Sequence, residues 1–130
     1  MLLLTSLTSA SAQLSVTVSP VRLAGQKAIV PLAMKNGLNE KVESARVVCF
    51  LLDEHGKMVG QSTRWVIGGD TNRPGLPAGG TNAFYFVITS GKPFTTTNLT
   101  AKVSFSRVVL AGGKLADPVK QVTIKTTGFQ

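Results

Sequence analysis

Asp53, Glu54 and His55 are the residues best suited to proton transfer, because a carboxylate beside the chain's single imidazole could orient a general base. They are followed at once by Gly56, however, and no Ser, Thr or Cys stands next to them as a nucleophile, so a solvated hairpin turn is the expectation. Cys49 is the lone thiol. It can form no intrachain disulfide, and its neighbours Val48 and Phe50 mark it as a small buried hydrophobe. One His and one Cys supply no zinc set, and the six acidic residues include no D-x-D-x-D arrangement that would gather several carboxylates in one loop for calcium. The pairs Gly68-Gly69 and Gly112-Gly113 lack the helix that a phosphate-cradling loop requires, and read as turns. Asn98-Leu99-Thr100 has the form of a glycosylation sequon, but Asn98 fits a turn entering a strand. No catalytic residue, cofactor site or metal site emerges, and the chain is expected to be non-enzymatic.

The elements that hold these residues are strands. The chain has 130 residues, 43% hydrophobic and 15% charged, enough for one core. No stretch sustains a helical apolar period, whereas β-branched residues and Thr are abundant. The first twelve residues, Met1 to Ala12, are apolar, uncharged and end in Ala-Ser-Ala. They predict a signal peptide cleaved between Ala12 and Gln13, with an n-region lacking its usual Lys or Arg. A single domain over 13–130 follows, and export to the periplasm, cell surface or exterior is expected.

Strand predictions come from period-two alternation. Leu14 to Val21 alternates before Pro20 ends it, as at a sheet edge. From Lys27 to Lys35, Ala28, Val30, Leu32 and Met34 share the core face, and Pro31 suggests an edge or a bulge. Asn36-Gly37 predicts a turn with positive φ. Val42 to Asp53 leads through the Gly56 turn into Met58 to Ile67, with Val59, Trp65 and Ile67 placed on one face. A loop from Gly68 to Gly80 carries five glycines and two prolines. Phe84, Phe86 and Ile88 then point inward. Leu99 to Leu110 alternates most cleanly, and Val119 to Lys125 closes the domain. About seven strands and no helix predict an all-β, immunoglobulin-like antiparallel β-sandwich, with a small open barrel as the rival.

The segment 27–89 resembles the FxLYD-type domains of secreted and envelope prokaryotic proteins. The matching pieces are Lys35-Asn36-Gly37, Cys49-Phe50-Leu51-Leu52-Asp53, Gly56-Lys57-Met58-Val59, Leu76-Pro77-Ala78-Gly79 and Phe84-Tyr85-Phe86. Cys49 stands where the pattern has Phe, Leu52 where it has Tyr, and Pro77 lies one place early. The resemblance implies an immunoglobulin-like fold and an envelope or extracellular location. It transfers no catalytic residue.

What is left for function is surface. The net charge of +8 favours anionic envelope or extracellular polymers. Its cations are scattered singly and lack interleaved aromatics, which argues against nucleic acid. From Val47 to Leu52 alternation fails, so Val48, Phe50 and Leu52 should face outward from a strand whose inner face is already apolar. With Leu99–Leu110 as the neighbouring strand, Lys102, Ser104 and Ser106 would flank them. Either this stripe meets a protein or glycan, or the N-terminal strand, the Gly68–Gly80 loop or Phe129 covers it. Two alternatives accompany a binding module: a self-assembling subunit pairing Gln13–Leu23 or the C-terminal strand with another copy, and a carbohydrate-binding module displaying Trp65 and Tyr85.

Overall fold

The computed structural model describes residues 13–69, 72–91 and 93–127, so the expected signal peptide and Phe129 lie outside the described residues. Two sheets pack face to face, confirming the all-β sandwich, but with nine strands rather than about seven. The five-stranded sheet contains β1 (Leu14–Val18), β2 (Arg22–Ala24), β3 (Lys27–Asn36), β6 (Thr81–Thr89) and β9 (Val122–Thr126). The four-stranded sheet runs β5 (Met58–Ile67), β4 (Val42–Leu52), β7 (Thr100–Leu110), β8 (Leu115–Ala116). The short strands β2 and β8 are not foreshadowed by the alternation pattern, nor is a four-residue helix, α1 (Pro118–Gln121), which delays the last strand from Val119 to Val122. Asp117 caps it by accepting a hydrogen bond from the Val119 N–H at 3.0 Å, and Pro118 fits its first turn.

Alternation on β3 sends Ala28, Val30, Leu32 and Met34 into the core, where each is at most 2% exposed. Phe86 and Ile88 on β6, and Val103 and Phe105 on β7, meet them there. Pro31 does not mark an edge. β3 is the middle of its sheet, with β6 on one side and β1 and β2 on the other. The Pro31 carbonyl accepts from Ser19 N–H, so its missing N–H faces the same side, where β1 and β2 break at Pro20. No ladder bond is lost there, which is how a central strand tolerates proline.

Asn36-Gly37 also departs from expectation. Gly37 is not among the positive-φ glycines; a Cβ on it would instead approach the Gln13 carbonyl oxygen to 2.7 Å. Asn36 ends β3 fully buried, and its side chain supplies the organisation. Its Nδ2 donates to the carbonyls of Glu40 (2.9 Å) and Leu76 (3.0 Å), and its Oδ1 accepts from Leu38 N–H at 2.9 Å. One amide thereby ties the 37–41 turn to the long 68–80 loop, and Leu76 of that loop enters the core beside Val42.

Cys49 is fully buried and unpaired, as expected. Burial strips the thiolate of water and pushes the thiol up to about 11. Because the unfolded thiol ionises first, this contribution is complete below about pH 9 and lost as pH rises to about 11. At two pH units' difference it amounts to about 3 kcal/mol. Urea unfolding of the native chain and of Cys49→Val at pH 8 and pH 11 should therefore show the native chain losing more stability. Equal losses would place the thiol in contact with water.

Candidate functional site

The β4–β5 hairpin fixes the first candidate residues as turn chemistry. The Asp53 carboxylate accepts the Lys57 and His55 N–H groups, each at 2.9 Å, and these bonds, Lys57's first, hold its carboxyl below the usual range. His55 is exposed and contributes its backbone, while Gly56 takes φ +78° to close the turn. Among the described residues no three His, Cys, Asp or Glu side chains gather as a metal set.

The outer face of the four-stranded sheet brings the predicted stripe together. Val47, Cys49 and Leu51 are fully buried on the inner side of β4. Val48, Phe50 and Leu52 occupy the outer side, half-buried between their neighbours. Phe50 lies between Gln61 of β5 and Lys102 of β7, Val48 between Thr63 and Ser104, and Leu52 between Met58 and Thr100. Lys102 and Ser104 are exposed. Of the segments named above as possible covers, the two that are described lie elsewhere: β1 belongs to the other sheet, and the 68–80 loop sits against the end of β4 and the β5–β6 side. A ring set among hydroxyls, amides and a lysine can make apolar contact at its centre and hydrogen bonds at its margin, the usual layout of a protein contact.

Trp65 does not share a face with Val59 and Ile67. The β4–β5 register shifts at Leu51/Leu52 and again at Ala45/Arg46, so β5 carries an extra residue at each point. The second bulge leaves Ile67 buried opposite Ala45 and turns Trp65 outward opposite Arg46, whose guanidinium stands 5.8 Å from the ring centroid. Arg46 is held there by its Nε bond to Ser106 Oγ (3.1 Å).

A second candidate site, of which the sequence pointed only to Trp65 and Tyr85, lies where β5 and β6 form one lateral side of the sandwich. At one end the sheets close tightly, since a Cβ on Gly60 would come within 2.9 Å of Ile88 Cγ2. Toward Trp65 and Phe84 they part into a cleft of about 420 Å³, bordered by Thr63, Arg64, Trp65, Arg73, Tyr85 and Val87 among others. Arg73 reaches in from the 68–80 loop, donates from Nη1 to the Trp65 carbonyl at 2.7 Å, and stands 5.6 Å from the Phe84 ring centroid. Tyr85 is 59% exposed and Val87 45%. The outward parity of Tyr85 was readable from β6; the arrival of Arg73 was not, because a glycine- and proline-rich loop has no period. The opposite side differs: α1 packs against both β7 and β9 there.

The self-assembly alternative is narrowed. β1 pairs with β3 on one side and in parallel with β9 on the other, so Gln13–Leu23 does not offer β1 as a free edge. Among the described strands, β9 pairs only with β1. No described helix is long and apolar enough to cross a membrane.

No family model matches the chain, and no curated protein matches it. Among solved structures it is similar to IrmA from Escherichia coli, at 10% sequence identity and a TM-score of 0.57, over 88% of this chain and 92% of that one. At that identity the likeness is one of fold.

Proposed function

We propose that this chain is a small exported, non-enzymatic β-sandwich that works as a binding module, with the outer face around Val48, Phe50 and Leu52 as its contact surface for a protein partner. The observation that carries the reading is the row of three apolar side chains on the outer side of the central strand β4, bordered by Thr63, Gln61, Lys102 and Ser104. A sheet face that meets only water alternates to polar residues, as β7 does with Lys102 and Ser104. β4 does not. Export rests on the small-residue cleavage pattern ending at Ala12, and an envelope location on the FxLYD-type resemblance across 27–89.

Site-specific photo-crosslinking tests the surface. With a photoreactive phenylalanine at position 50, irradiation of the envelope fraction should yield a discrete crosslinked band that the same group at position 125 does not. Indistinguishable yields at the two positions would remove the outer face from consideration.

A further inference from the structure

We infer that the cleft between β5 and β6 is a binding site for a carboxylate-bearing saccharide, with Arg73 and Arg64 receiving the carboxylate and Tyr85 and Val87 supplying the wall for the sugar ring. The cleft adjoins the outer face at Thr63, but its two arginines, Tyr85 and Val87 take no part in the stripe, and the inference does not depend on that stripe binding a protein.

Charge is the first argument. Arg64 and Arg73 border the same cleft, and neither is in an ion pair with any described residue. Arg73 is half-buried, yet among the described residues its guanidinium has one hydrogen bond, to the Trp65 carbonyl, and rests on the Phe84 ring. A guanidinium carries five N–H donors in a planar fork, so Arg73 retains donors matched to a carboxylate. Anchoring at one N–H and stacking on Phe84 hold the fork in place, which lowers the ordering cost when an anion arrives. The net charge of +8 draws anions toward it.

Shape supplies the second. A volume of about 420 Å³ lies within the range of small-ligand sites, roughly 300–1,000 Å³. The exposed Tyr85 ring and Val87 form an apolar wall on outward positions of β6, while Thr63 adds a hydroxyl across the cleft. An apolar ring beside a fixed cation suits a sugar with C–H groups on one face and a carboxylate at its rim. An added peptide strand fits less well. Arg73 occupies the Trp65 carbonyl next to the cleft, and the Asn82 side chain accepts the Ala83 N–H on β6. Main-chain groups that an incoming strand would use are capped in this way.

Titration calorimetry with tri-galacturonic acid and with its methyl ester, which keeps the rings and masks the charge, tests the proposal. The acid should bind the native chain at least about tenfold more tightly than the ester, one bidentate contact's worth. Arg73→Lys, which keeps the charge but loses the fork, should weaken the acid by a similar factor. Arg64→Gln and Tyr85→Ala, at exposed positions where folding is not in question, should weaken it several-fold. Lys125→Ala, on β9 at the far edge of the same sheet, and Phe50→Ser should leave it unchanged. Equal affinity for acid and ester would overturn the proposal, as would undetectable binding of the acid. A loss in Lys125→Ala matching that in Arg64→Gln would also overturn it, by showing that diffuse charge is responsible.

Discussion

Asn36→Ala is expected to lower the stability of the fold by about 3–5 kcal/mol, through buried polar groups left without partners. The side chain is fully buried and makes three hydrogen bonds to main-chain groups. The Leu76 carbonyl would keep its second partner, Val42 N–H at 2.9 Å, but the Leu38 N–H would lose the acceptor it has on Asn36. A burial penalty of about 1–3 kcal/mol for each orphaned group, plus the void left by the amide, gives the total. For a domain of this size the melting temperature should fall by about 15 °C. Asn36→Asp should be no better, because it turns the two Nδ2 donations into a carboxylate facing carbonyls. A fall of less than about 3 °C would mean that water replaces the amide without cost.

Gly68→Ala should be comparably damaging, for a different reason. Gly68 is buried at the end of β5 with φ +57°, a conformation in which an alanine costs about 1–2 kcal/mol. Its added Cβ would also lie 1.9 Å from the Glu43 carbonyl oxygen, which belongs to the main chain of β4 and has no rotamer by which to move away. Relieving that overlap requires β4 and β5 to separate next to the Ala45/Arg46 bulge, at a further cost of about 1–3 kcal/mol. Gly79→Ala isolates the clash: φ is +78° and nothing lies within 4 Å of its Cβ, so only the conformational penalty remains. Urea denaturation of the two variants should show Gly68→Ala as the less stable by at least about 1 kcal/mol. Equal midpoints would show that β4 yields freely at Glu43.

The parts of the fold that follow from local pattern were legible in the residues. On β3, and on β7 as far as Phe105, alternation identified the buried set because the register holds there; beyond Ser106 the β4–β7 pairing shifts, and Val108 and Leu110 take the inner face. The Gly56 turn and the buried Cys49 were equally readable, from neighbours alone. What was not legible depends on residues distant in the chain. Trp65 points outward because the β4–β5 pairing shifts at Ala45/Arg46, and nothing within β5 reveals that shift. Pro31 sits in a central strand because β1 and β2 part opposite it. Asn36 acts through an amide that reaches Leu76, forty residues on, where the sequence suggests only a turn. The same limit hid the cleft. Arg64 and Trp65 adjoin in sequence, but Arg73 joins them only when the 68–80 loop folds back against Trp65.

The outer face was legible for the opposite reason. Val48, Phe50 and Leu52 break alternation within a single strand, and the strand pairing sets Lys102 and Ser104 beside them. Phe50 is half-buried, so its truncation removes contacts with Gln61 and Lys102 and none of the interior packing made by Cys49 or Leu51. Phe50→Ser, measured side by side for partner retention from the envelope fraction and for thermal unfolding, tests the central claim most directly. The account predicts that partner retention is lost while the melting temperature falls by no more than about 4 °C, the equivalent of about 1 kcal/mol. Retained partner with a melting temperature lowered by about 10 °C or more would contradict it, and would make Phe50 a structural residue of the sheet.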